Sequence, residues 1–295
     1  MGPLSLPEAY LVCATLIAVD ILARALRIRW ILRGLGTPIR FRDAITLNAF
    51  GDAASALTPL RFGGEPARLG GMLRAGVPAA AGLVAIGLET IAAWPVIILA
   101  MLPLVWLFAP EWWTAAAPRI GAAVVTAWPW VVVIGAMTVA AWLVARRHAR
   151  LFARQVRRPM RRAAVYWRRA PIWPLMAGIP LTLLDLFTRV GVLVALALTL
   201  PAPSPLGTLV VGSFLLLYAQ LVLPTPAGIG VVDFSFLAGA AGQLGGRGAE
   251  LLLAWRFFTS GVGLILGVGL AARIYGWPAL ALVLRRRGAA PSPPA

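Results

Sequence analysis

Two interruptions of the same kind cut through an otherwise bilayer-grade apolar sequence. The first reads Leu57-Thr58-Pro59-Leu60-Arg61-Phe62-Gly63-Gly64-Glu65. The second reads Leu223-Pro224-Thr225-Pro226-Ala227-Gly228-Ile229-Gly230-Val231-Val232-Asp233. Each places a Thr-Pro step, a glycine pair and an acid between apolar runs. In hydrocarbon, backbone released from a helix must be buried in protein or line a cavity. Paired interruptions in two halves of a membrane protein are the strongest sequence pointer to a transport site.

Composition supports the membrane setting. The chain is 60% hydrophobic and 13% charged, with a mean hydropathy of +0.86, whereas soluble domains carry roughly 25% charged residues. Apolar runs long enough to span a bilayer recur along it. The expected class is an all-α polytopic membrane protein, with residues 1–287 as a single domain and no room for a soluble catalytic unit. The net charge of +17 comes from arginine alone. Those arginines cluster beside the spans, so the positive-inside rule accounts for them without nucleic acid. Cys13 is the only cysteine and His148 the only histidine. That rules out an intrachain disulfide and a Cys/His zinc site, and no cofactor is expected.

The expected order follows from hydropathy and charge. Residues 8–30 form a first span, followed by Arg24, Arg27, Arg29 and Arg33, which places its N-terminus outside. Residues 41–75 read as two short helices joined at the first break. Each arm is about 24 Å long at 1.5 Å per residue, short of the ~30 Å hydrocarbon core; a re-entrant hairpin is expected. Residues 77–108 run outward and 120–145 inward. Residues 146–170 are an Arg-rich cytoplasmic connector suited to anionic lipid. Residues 172–200 run outward, 206–244 form the second broken pair, and 249–275 return to a cytoplasmic C-terminus. Residues 288–295 read as a disordered tail. The location expected is the cytoplasmic membrane.

The halves, about 8–145 and 171–284, match beyond the breaks. Asp20-Ile21-Leu22-Ala23-Arg24 parallels Asp185-Leu186-Phe187-Thr188-Arg189. Asp20 to Glu65 is 45 positions and Asp185 to Asp233 is 48; Glu65 to Glu89 is 24 and Asp233 to Arg256 is 23. Corresponding spans run in opposite directions. The expected architecture is therefore two inverted-topology halves, each with full spans and a broken or re-entrant helical hairpin.

Intramembrane charges cost about 2.5–3.5 kcal/mol each on insertion scales, so each needs a partner or a task. Asp20/Arg24 and Asp185/Arg189 are i,i+4 pairs able to neutralise themselves. Gly63 and Gly64 are expected to let backbone approach a ligand, and Glu65-Pro66 to open a half-helix whose free N–H groups suit an anion. Arg61 and Arg68 would clamp the same anion. Asn48 and Asp52 face the first break and are expected to hold its backbone. In the second hairpin Gly228 and Gly230 make the turn and Asp233 follows. Glu89 and Arg256, at similar depth, are expected to pair, with a ligand or a structural role equally open.

These motifs resemble a known family. Asn48-x-x-Gly51-Asp52, Thr58-Pro59-x-Arg61-x-Gly63-Gly64-Glu65-x-x-Arg68 and Pro226-x-Gly228-x-Gly230-x-x-Asp233 look like the lysylphosphatidylglycerol synthase transmembrane (flippase-like) family, over most of the chain. Asp233 stands where that pattern favours Glu. The resemblance implies lipid translocation without the soluble aminoacyl-transferase domain that some members carry. The expectation is a flippase for an amphiphile with an anionic or aminoacylated headgroup, not an enzyme, with a membrane lipid as substrate and a lipid-biosynthesis enzyme as a conceivable partner. The alternative is a membrane-embedded enzyme or accessory subunit of lipid or glycolipid synthesis, with Glu65, Glu89 or Asp233 as acid/base groups.

Overall fold

The computed structural model describes residues 4–58, 61–103, 106–107, 136, 143, 161–201, 205–221, 230, 232–233, 236–237, 244 and 246–276. All regular structure among them is helical. The return span 120–145, most of the Arg-rich connector, the tail and most of the second break, Gly228 included, lie outside the described residues. Within the connector, residues 161–168 are helical.

Among the described residues, four helices have the length and apolar composition to cross a bilayer: α1 (Leu6–Gly34), α4 (Ala79–Pro103), α5 (Trp173–Ala197) and α7 (Gly248–Tyr275). Between α1 and α4 lie α2 (Phe41–Leu57) and α3 (Gly64–Arg74). At 1.5 Å per residue they measure about 26 and 17 Å, too short to span, and they pack against each other as a hairpin. The final short helix, α6 (Leu206–Tyr218), runs into a 3₁₀ turn, Ala219–Leu221.

Local chemistry explains several of these limits. Glu8 accepts hydrogen bonds from the Ser5 backbone N–H (2.9 Å) and hydroxyl (2.6 Å), closing the start of α1. The α3 helix opens with Glu65 and Pro66 in its first turn, where proline's missing N–H costs nothing. Between α3 and α4, Gly76 takes φ 85°, which a residue with a Cβ adopts only at a cost.

The central packing is α1 against α5. Asp20 is the middle residue of α1 and Asp185 the middle residue of α5, so the crossing buries charge at mid-length. Apolar layers flank it. One gathers Cys13, Ile17, Leu193, Phe214, Phe236 and Trp255. The other gathers Ile28, Leu32, Leu47, Met72, Val84 and Leu88. A polar band therefore sits between two dry layers.

The hairpin is held to α7 by small residues. A Cβ on Gly267 would lie 2.2 Å from the Ala49 carbonyl oxygen and 2.6 Å from the Ala53 Cβ, and one on Gly263 would lie 2.9 Å from the Asp52 Cβ. Gly263-xxx-Gly267 thus meets Ala49-xxx-Ala53, the small-residue stripe by which helices approach closely where no hydrophobic drive separates them from lipid. One turn earlier, α7 contains a π-helical turn, Phe257–Gly261, directly after Arg256. Such turns insert a residue into the α repeat and re-aim the side chains beside them.

Candidate functional site

The break between α2 and α3 is tied by Thr58. Its hydroxyl donates to the Ala54 carbonyl (2.7 Å) and accepts from the Gly63 N–H (2.8 Å). The Arg61 N–H donates to the Thr58 carbonyl (3.2 Å), and the Gly64 N–H to the Arg61 carbonyl (3.1 Å). Arg61 itself takes φ 57°, the left-handed region, and is the one non-glycine there among the described residues. That conformation costs an L-residue about 1–2 kcal/mol. It turns the chain at Arg61, whose side chain lines a cavity of about 490 Å³ at the hairpin tip.

The glycines and backbone donors of this turn are engaged by the protein itself. The glycines serve packing: a Cβ on Gly63 would meet the Thr58 methyl at 2.7 Å, and one on Gly64 the Ser55 hydroxyl at 2.1 Å. Close approach is thus made to α2, and Gly64 also lines the cavity. The N–H groups at the start of α3 are also largely spent, since Gly63 and Gly64 donate as above and Pro66 has none. The donor turned toward the cavity is a side chain, that of Arg61.

Around the cavity, acids and arginines interlock across helices. Arg24 bonds Asp20 one turn away (2.9 Å) and Asp52 of α2 (2.8 Å). Arg189 bonds Asp185 one turn away (2.8 Å) and Asp20 across the α1–α5 crossing (3.2 Å). The i,i+4 pairs form as their spacing implies, then join into one network. Arg27 bonds Glu89 of α4 (2.9 Å), the Thr182 hydroxyl (3.1 Å) and Asp185 (3.5 Å). Arg68 bonds Glu65 (3.2 Å) and Glu89.

The network changes other assignments. Asn48 and Asp52 do not hold the break. Asp52 faces Arg24, and among the described residues the buried amide nitrogen of Asn48 has no hydrogen-bond partner, like the buried Nε of Arg24 and of Arg68. Glu89 pairs with Arg27 and Arg68 rather than with Arg256, because the α3 and α1 arginines are nearer on its own side of the molecule. Arg256 instead bonds Asp233 (2.6 Å), which also accepts from the Gly230 N–H (3.0 Å). Gly230 takes φ 93°, as the expected turn requires.

Arg61 differs from the other arginines lining the cavity. Arg24, Arg27, Arg68 and Arg189 each bond at least two acids, while the Arg61 guanidinium makes no ion pair among the described residues. Its electrostatic neighbours are mostly cationic: Arg189, Arg24 and Arg256, against Asp52 alone. Arg68, expected to share an anion with it, is already engaged by two carboxylates. Arg27 was missed as a site residue, because in the sequence it is one of four arginines that follow an apolar run. Its spacing of seven from Asp20, two helical turns on one face, is the signal that finds it.

A polytopic helical bundle with a charged, helix-crossing cavity at the tip of a short hairpin defines a helical membrane protein with a polar interior. The sequence model described as Lysylphosphatidylglycerol synthase TM region matches residues 4–267. The chain belongs to that family, which carries a membrane setting and a lipid-related role. No curated protein and no solved structure matches it.

Proposed function

We propose that the protein is a lipid flippase or transporter of the cytoplasmic membrane that moves an amphiphile with an anionic headgroup, binding it at Arg61. The observation that carries this reading is one arginine without an acid partner among the described residues, in a cavity whose other arginines are paired. A cation half-buried without a counter-ion is costly, and a phosphate or carboxylate oxyanion supplies the missing charge. The planar guanidinium fork matches such groups with two parallel hydrogen bonds. The lipid leaves unaltered, so the reading makes the protein a carrier and not an enzyme. The N-terminus would lie outside and the C-terminus in the cytoplasm.

The test is translocation of labelled phosphatidylglycerol and phosphatidylcholine in liposomes containing purified protein. The anionic lipid is expected to move faster. Arg61→Gln should slow it at least about tenfold, the equivalent of one charge-assisted hydrogen bond of about 1.4 kcal/mol or more. Arg61→Lys should fall between, since it keeps the charge but loses the fork. Equal rates for both lipids, or a wild-type rate in folded Arg61→Gln, would remove the proposal.

A further inference from the structure

The cavity that holds Arg61 is not charged throughout. Along α4 its lining runs Glu89, Thr90, Ala93, Trp94 and Ile97, a single helical face at i, i+3, i+4 and i+7 spacing from Thr90. From Glu89 to Ile97 the face rises about 12 Å at 1.5 Å per residue and changes from carboxylate to hydrocarbon. Opposite Trp94 stands Tyr218 at the end of α6, ring centroids 6.2 Å apart. Tyr218 is in turn stacked on Phe214 at 6.0 Å. Leu217 completes that wall. One end of the cavity is therefore ionic and the other is aromatic and aliphatic, with Trp94 itself 43% exposed at the molecular surface.

From this gradation we infer that the α4–α6 face is the hydrocarbon subsite and lateral portal for the same amphiphile. The inference rests on the reading of Arg61 as its headgroup contact. The occupant is a lipid acyl chain. A soluble anion has no use for an apolar end, and a purely apolar ligand would strand the ionic end. The chain lies along Ala93, Trp94 and Ile97, and passes to the bilayer over the exposed face of Trp94, which Tyr218 backs. Leaving bilayer for this groove gains the chain little hydrophobic free energy, because lipid tails are as apolar as the groove. The subsite therefore selects by shape and direction, and affinity comes from the headgroup. With the Arg74 end of the hairpin on the cytoplasmic side, the chain points away from the cytoplasm, as the tail of an inner-leaflet lipid does.

Site-specific photocrosslinking in nanodiscs tests this. Benzoylphenylalanine is introduced at Ile97, which lines the cavity, and separately at Leu99, which is 68% exposed and meets bulk lipid. The nanodiscs contain phosphatidylcholine with or without phosphatidylglycerol. At position 97 the adduct is expected to be enriched at least about fivefold in phosphatidylglycerol over its share of the bilayer, and to lose that enrichment in Arg61→Gln. At position 99 the adduct should follow bilayer composition and ignore Arg61. A smaller diazirine side chain at 97 separates steric blockage from absence of lipid. If both probes at 97 give no lipid adduct, or one that follows bilayer composition as at 99, the portal is overturned. Binding of phosphatidylglycerol to unmodified protein, measured in parallel, separates the two readings. Selective, Arg61-dependent binding without selective labelling at 97 sinks the portal alone. Unselective binding sinks the headgroup reading and the portal with it.

Discussion

Arg27 shows how much one side chain can carry in a low-dielectric interior. It is 9% exposed and joins α1 to α4 through Glu89 and to α5 through Thr182 and Asp185. Removing one member of a buried ionic group strands its partners, which costs about 3–5 kcal/mol, more than the intact pairs contribute. Arg27→Ala should therefore lower the thermal midpoint sharply in detergent. Arg33→Ala, at the exposed end of the same helix, should stay within about 0.5 kcal/mol of wild type. Thermal unfolding followed by circular dichroism or size-exclusion recovery decides between them, and equal behaviour would mean that Arg27 is solvated. Arg61 contrasts with it: Arg27 is bound by acids and structural, whereas Arg61 pairs with no acid among the described residues.

Helix elements in this protein are joined by absence of side chain as much as by its presence. Gly267→Leu would drive a branched side chain into the Ala49 carbonyl and the Ala53 methyl, forcing α7 from α2. Overpacking of that kind costs typically 1–3 kcal/mol, and here it would also shift Asp52, which touches Gly263. Gly70→Ala is the control: its Cβ meets nothing within 4 Å, and alanine in a helix is worth about 0.5–1 kcal/mol over glycine. The first variant is expected to lose stability and transport, the second to gain slightly in midpoint. Unfolding midpoints of the two in the same detergent check the sign of each.

At the scale of the whole molecule, two dry layers enclose a band of charge, and the proposed orientation is tested by where the arginines collect. Arg29, Arg33, Arg40, Arg42, Arg74, Arg162 and Arg169 lie at one end of the helices, while Glu250 and the start of α1 lie at the other. In a Cys13→Ala background, Glu250→Cys should react with an impermeant maleimide on intact cells. Arg74→Cys should react only once the membrane is opened. Cys13 is buried, its thiol facing the Val192 carbonyl, so alanine there removes background labelling at little cost. The reverse labelling pattern would invert the topology and, with it, the leaflet assigned to the bound chain.

Much of the frame was written in local sequence. Apolar length set which helices can span, proline and glycine ended α2 and opened α3, and i,i+4 spacing paired Asp20 with Arg24 and Asp185 with Arg189. Each depends on neighbours within a turn or two, so periodicity and composition suffice. What only the tertiary structure decided was which helix faces meet. The crossing of α1 and α5 bonded Arg189 to Asp20, seating α7 on α2 gave Gly263 and Gly267 their role, and the rotation of α4 gave Glu89 to Arg27 and Arg68 rather than to Arg256. Helix rotation is invisible to hydropathy because, in lipid, most faces of a span are apolar alike. For the same reason the singular position of Arg61 emerged only when every other cavity arginine had been matched in space to its acids.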